Sequence, residues 1–219
     1  PEYAAICGIT EQEIADNFRP ELERMAEVNG WSLKETHGKL KNYYDGYHFS
    51  RRNMVDIYNP FSLINALDTQ ELGNFWAASG STSMIAKFVD NIELRLSNFE
   101  QCTIMRNILE LSDVTGGGAE LFLYQSGYLT IKKYDEFGYI LGFPNEEVKQ
   151  ALYEMVMPAI TMRAESDIQT LQSHLYRQLG TGQLDEVKKT LKALIADVPY
   201  SNKKLASMDM EERYRLIIS

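Results

Sequence analysis

The chain is short of cysteine, short of histidine and without a long apolar run, and each shortage removes a class of protein. It has two cysteines, Cys7 and Cys102, far apart, with no second Cys or His near either at zinc-ligand spacing. A secreted scaffold would carry more, so both read as reduced thiols of a cytoplasmic protein. No signal peptide is recognisable. No apolar stretch reaches the roughly 18 residues that span a bilayer. The best candidate, 151–162, is interrupted by Glu154 and Pro158. There is no Gly-x-x-x-x-Gly-Lys-Ser/Thr loop to cradle phosphates, no Gly-x-Ser-x-Gly elbow and no His-Glu-x-x-His. The three histidines, His37, His48 and His174, sit in separate segments. No catalytic residue and no metal ligand is therefore expected in this chain.

Charge of one sign is also scarce. Lys and Arg number 22 against 31 Asp and Glu, a net charge of -9. That balance opposes tight binding to phosphate backbones, which Lys and Arg hold. Acidic pairs such as Glu146-Glu147 and Glu211-Glu212 read as solvated helix starts.

What the chain has is aromatic and apolar content, with 13 Tyr, 9 Phe and 44% hydrophobic residues, enough to bury a core. Thr10 and Glu13, then Ser32 and Glu35, form two capping boxes. Pro20 divides the first helical stretch, and Asp45-Gly46 ends the third. Asn59-Pro60 opens a further helix, since Asn caps well and Pro suits the first turn. A helix is expected near Ser83 to Val89, and 91–118 gives no clear pattern. Ala119 to Ser126 reads as a short helix ended by Gly127. Strand-like runs at Tyr128–Ile131 and Tyr139–Leu141 flank a turn at 134–138, a β-hairpin. Asn145 then caps another helix. Leu171, Leu175 and Leu179, and then Val187, Leu191, Leu194 and Ile195, make two stripes of an antiparallel helix pair, with a last helix from about Met210. The expected fold is mainly α, with one hairpin in a winged-helix-like setting and a C-terminal helix pair. Pro1 in place of Met, and an end inside an apolar run, suggest a piece of a longer polypeptide.

The densest constellation is 43–49 with 58–62. One reading is a turn and aromatic anchors for a helix cap. The other is a loop facing a ligand: aromatics beside a helix N-terminus cover a base and favour anionic groups.

YYDGYHF (43–49), YNPFSLINAL (58–67) and FWAASGSTSMIAKFV (75–89) follow one another in order. Upstream lies YAAICGITEQEI, and downstream LYQSGYLTIKKYDEFGYILGFPNEEV. From Tyr3 to about Met157 this series resembles the predicted AAA-ATPase-like family of bacterial proteins. That resemblance implies a P-loop ATPase core before this chain and a PD-(D/E)XK nuclease-like domain after it. It makes 1–90 a helical lid-like region, 91–160 a winged-helix-like segment and 161–219 a helical connector. Asp45, Gly46, Tyr47, His48, Asn59 and Pro60 would then lie near nucleotide in the parent. Glu212 and Tyr214 look like first-helix residues of the nuclease-like domain. ATP and Mg are implied for the parent, and no cofactor for this chain. The implied partners are the two neighbouring domains. The alternatives are a protein-interaction scaffold built on the C-terminal helix pair, or a winged-helix module that binds nucleic acid weakly through Lys132 and Lys133.

Overall fold

A computed structural model describes residues 5–50, 54–76, 99–109, 118–161 and 164–196. These fall into two compact units, one within 1–80 and 98–152, the other within 81–97 and 153–219. The protein is mainly α-helical with one small antiparallel sheet.

The first unit opens with α1 (Glu11–Asn17), α2 (Arg19–Asn29) and α3 (Leu33–Tyr44). Both capping boxes form. The Glu13 and Glu35 carboxylates accept the Thr10 and Ser32 backbone N–H groups, each at 2.8 Å. The chain breaks at Phe18, with Pro20 in the first turn of α2, where its missing N–H costs nothing. In α4 (Pro60–Thr69), Asn59 Oδ1 accepts the amides of Phe61 and Ser62. Ile14, Leu22, Met25, Leu40, Tyr44 and Leu63 form the core of this bundle.

The rest of the unit is β1 (Cys102–Ile104), α5 (Arg106–Leu109), α6 (Gly118–Gln125), β2 (Thr130–Tyr134), β3 (Tyr139–Gly142) and the start of α7 (Glu146–Thr161). The expected hairpin is β2–β3. The sheet, however, has three strands in the order β1-β3-β2, because 102–104 in the stretch without a clear pattern pairs antiparallel with β3. A three-residue strand carries too little periodicity to be read locally; its partner makes it a strand. The β2–β3 register slips between Ile131 and Lys133, leaving Lys132 as the extra, bulged residue.

Segments from both sides of the boundary expected at 90/91 belong to the first unit. Side chains join the bundle to the sheet and to α7. Tyr43 Oη donates to Gln150 at 3.2 Å, Asn145 Nδ2 to the Asp45 carbonyl at 3.0 Å, and the Trp76 N–H to Glu147 at 2.8 Å. Neither the bundle nor a three-stranded sheet covers its apolar face alone.

The second unit holds the remainder of α7, with Pro158 inside it, then α8 (Glu165–Gly180) and α9 (Leu184–Ala196). A tight turn reverses α8 into α9, and Thr190 Oγ1 donates to Gln178 at 3.1 Å. Val187 is buried, but Leu179 of the expected stripes is mostly exposed, as is Leu184 at the start of α9. The helix expected near Ser83–Val89, and the C-terminal helix with Glu212 and Tyr214, lie outside the described residues. No described helix is long and apolar enough to cross a membrane.

Adjacent residues of α4 test this packing. Leu63 is fully buried and Ile64 is half exposed. Leu63→Ala should cost about 2–5 kcal/mol of unfolding free energy, whereas Ile64→Ala should change it by about 0.5 kcal/mol or less. Urea denaturation of the two variants measures this, and equal losses would contradict the assignment of faces.

Candidate functional site

The candidate loop begins where α3 stops. Asp45 caps α3 through its own N–H, and its carboxylate takes Lys41 Nζ at 2.7 Å. Gly46 has φ of +96°, and a Cβ there would stand 2.4 Å from the Pro144 carbonyl oxygen. Two isolated antiparallel bridges, Tyr47↔Ile57 and Ile9↔Tyr58, then draw three segments together ahead of α4.

His48 fastens the loop to the sheet. Its backbone N–H donates to Thr130 Oγ1 at 2.8 Å, and Thr130 Oγ1 donates to the His48 carbonyl at 3.1 Å. Nδ1 lies 2.8 Å from the Ile131 carbonyl and Nε2 lies 2.7 Å from Asp56 Oδ1. Both partners can accept, so the ring is held between the two elements from both of its nitrogens. Burial alone would raise the Asp56 carboxyl. The His48 hydrogen bond and the Lys41 ammonium outweigh that and hold it below the usual range.

Tyr47 and His48 are both buried, at 9% exposure each. The reading of this loop as an open, ligand-facing turn expected them partly exposed. The correction is physical: His48 is spent on the sheet, and the close approach that Gly46 permits is to Pro144. Beside them, though, the apolar side chains Phe49, Phe61 and Ile64 stand 57%, 49% and 50% exposed.

The six residues expected near nucleotide do not converge. Asp45 and Gly46 line a charged cleft of about 660 Å³. Tyr47, His48, Asn59 and Pro60 line a separate aromatic cleft of about 490 Å³, together with Phe49, Trp76 and Tyr124. The Tyr47 ring stacks on Phe49 with centroids 6.3 Å apart.

Glu147 departs furthest from its sequence reading. It is not a solvated helix start: it is fully buried in the first turn of α7. Oε1 accepts the Trp76 N–H, while Oε2, Ser62 Oγ and Tyr47 Oη are buried without a hydrogen-bond partner. Desolvation raises the Glu147 carboxyl, against the pull of the Trp76 amide. Burial, followed by the Glu147 charge, raises the Tyr47 phenol. A protonated Glu147 has an O–H to give to one of the orphaned hydroxyl oxygens. Nothing local marks this residue, because its amide partner lies 71 positions earlier. Among the described residues no group of three His, Cys, Asp or Glu is placed to hold a metal ion.

A protein of Azotobacter chroococcum mcd 1, named an uncharacterized protein in the vnfD 5′ region, is 27% identical to this chain over 210 residues. The match covers 90% of this chain and 36% of the relative, so the chain spans about a third of that protein's length. No protein-family model matches the chain, and no solved structure matches it.

The raised Glu147 carboxyl has a definite sign. The folded state holds this proton more tightly than the unfolded chain, whose carboxyl titrates near pH 4.3. Stability from this group is therefore full below about pH 4.3 and falls as pH rises through the folded value. Glu147→Gln should remove that slope and match or exceed the wild type at neutral pH. Denaturation midpoints of both proteins across the acid-to-neutral range decide it. A variant markedly less stable at every pH would show that the ionised carboxylate is the form the fold requires.

Proposed function

We propose that this chain is the non-catalytic lid or regulatory region of a larger AAA-ATPase-like polypeptide, and that it meets the rest of that polypeptide through the face around Phe49, Phe61 and Ile64. The observation that carries this is the exposure of Phe49, which lines the aromatic cleft on a loop whose neighbouring residues are tied inward, and of Phe61 and Ile64 on α4, the helix that Pro60 of the same cleft opens. Phe49 and Pro60 belong to the cleft lining, and Phe61 and Ile64 share one side of α4 three residues apart. Exposed apolar groups gathered this way mark a surface that meets another protein surface. The length of the Azotobacter relative leaves room for such a neighbour.

On this reading the nucleotide, ATP with Mg, belongs to the P-loop core of the parent, and the lid senses it through the core surface that packs on Phe49 and α4. His48 and Gly46 hold the loop's shape and do not touch phosphate. A nucleic-acid role is favoured less. Lys132 directs its ammonium to the Pro144 carbonyl at 3.2 Å, which leaves Lys133 as the outward cation of the expected pair. A scaffold role rests on Tyr176, Leu179 and Leu184, which are exposed on the α8–α9 pair.

In the full-length polypeptide, Phe49→Ser with Phe61→Ser should change ATP turnover or ATP affinity several-fold while the thermal midpoint of the isolated chain stays put. The isolated chain should turn over no ATP. Magnesium-dependent hydrolysis by the isolated chain, or a full-length double variant with wild-type kinetics, would sink the lid reading.

A further inference from the structure

The charged cleft shares no lining residue with the aromatic one, and nothing in the lid reading uses it. Its walls come from α3, the 45–46 turn, β2 and the first turn of α7. Three features of its walls are left unexplained by folding.

The first is Gly38, in the middle of α3. Helix stability favours almost any other residue at such a position. Packing does not demand glycine either, because a Cβ there would meet no atom within 4 Å. What the missing side chain does is leave one wall of the cleft open.

The second is the bulge at Lys132. An extra residue in a strand re-aims its side chain out of the alternating pattern. Here it carries the ammonium into the cleft, beside Gly46 and the Pro144 carbonyl. Lys41 is neutralised by Asp45 and Asp56, and Lys149 by Glu100. Lys132 has no ion-pair partner among the described residues, only the more distant charges of Asp56 and Asp45.

The third is Asp45. It is 2% exposed and lines the cleft, and its Oδ1 has no hydrogen-bond partner while Oδ2 takes Lys41. A buried carboxylate oxygen left in that state is costly.

We propose that this cleft is a binding site for a small zwitterion of the amino-acid class, its carboxylate taken by Lys132 and its ammonium by Asp45. The overall charge selects this class. Three lysines face four carboxylates in the lining. A polyanion would meet four like charges there, and a multivalent cation three. A dipolar molecule with no net charge satisfies the spare cation and the spare acceptor together. The volume of about 660 Å³ is ample for one.

The test is isothermal titration of the chain with each protein amino acid in turn at low ionic strength. At least one should bind saturably. Its N-acetyl derivative, which lacks the ammonium, and its amide, which lacks the carboxylate, should each bind at least roughly tenfold more weakly. Lys132→Met should weaken binding by a similar factor. Gly38→Leu should abolish it while leaving the circular dichroism unchanged and the thermal midpoint equal or higher, since an exposed helical glycine is being replaced. No saturable binding by any amino acid, or affinity undiminished in Gly38→Leu, would overturn the proposal. So would inorganic phosphate binding as tightly as the best amino acid, which would make the cleft a simple anion site. None of these readouts depends on ATP, so this site and the lid reading fail separately.

Discussion

The imidazole of His48 makes the most direct attachment of the helical bundle to the sheet in the first unit. His48 is reached from α3 through a three-residue turn and bonded, by backbone and ring, to Thr130 and Ile131 of β2. With Asp56 on its other nitrogen, it ends a line of polar contacts: Asp45, Lys41, Asp56, His48. Lys41 faces a carboxylate on each side, so Asp45 tolerates a burial that a lone ion would not. The hairpin is thereby fixed against the bundle, and the fixed hairpin places the start of α7, whose Asn145 returns a bond to the Asp45 carbonyl. Without this attachment β2 would be an edge strand with nothing to seat it, because the sheet order leaves its other side unpaired by any strand.

Glu147 sets the second constraint, from inside. A fully buried carboxyl with one oxygen on the Trp76 amide pins the segment after α4 to the first turn of α7. The neighbouring Tyr44 hydroxyl works on the same segment, accepting the Gly73 N–H at 2.9 Å and donating to the Gly73 carbonyl at 3.1 Å. The aromatic cleft is the consequence. Trp76, held there by its backbone, lies edge-on to Tyr128 with centroids 4.6 Å apart and lines the cleft with Tyr47, Phe49 and Tyr124. A polar anchor therefore fixes an apolar surface.

What was legible in the sequence follows a rule of range. Both capping boxes, the Asn59 and Asn145 caps, the end of α3 and the β2–β3 hairpin depend on residues within a few positions of one another, and all are present. What was not legible depends on distant partners. Strand β1 exists because of Leu141; Glu147 is buried because of Trp76; His48 turns inward because of Ile131, 83 residues on. The composition of the dense motif 43–49 fits a packed turn as well as an open one. Only the Pro144 carbonyl over Gly46 separates the two. The bulge at Lys132 is hidden for a related reason, since it is visible only in the pairing of β2 with β3.

The same loop also lines both clefts. Asp45 and Gly46 belong to one, and Tyr47, His48 and Phe49 to the other, with no spacer between them. Gly46 is seated under the Pro144 carbonyl and His48 is locked to β2, so the short stretch between two fixed points has little freedom of its own. A rotation of the 46–47 peptide would have to break a bridge to Ile57 or drive backbone into Pro144. Any shift that widens one cleft must therefore move the whole loop, and with it the Asp45–Lys41–Asp56–His48 line. Two clefts that share a stiff loop are bound to feel each other's occupancy if filling either one moves that loop, since a packed element passes from one arrangement to another and does not bend by degrees. The stiffness that makes His48 and Gly46 poor ligand contacts is thus what makes them a good mechanical connection.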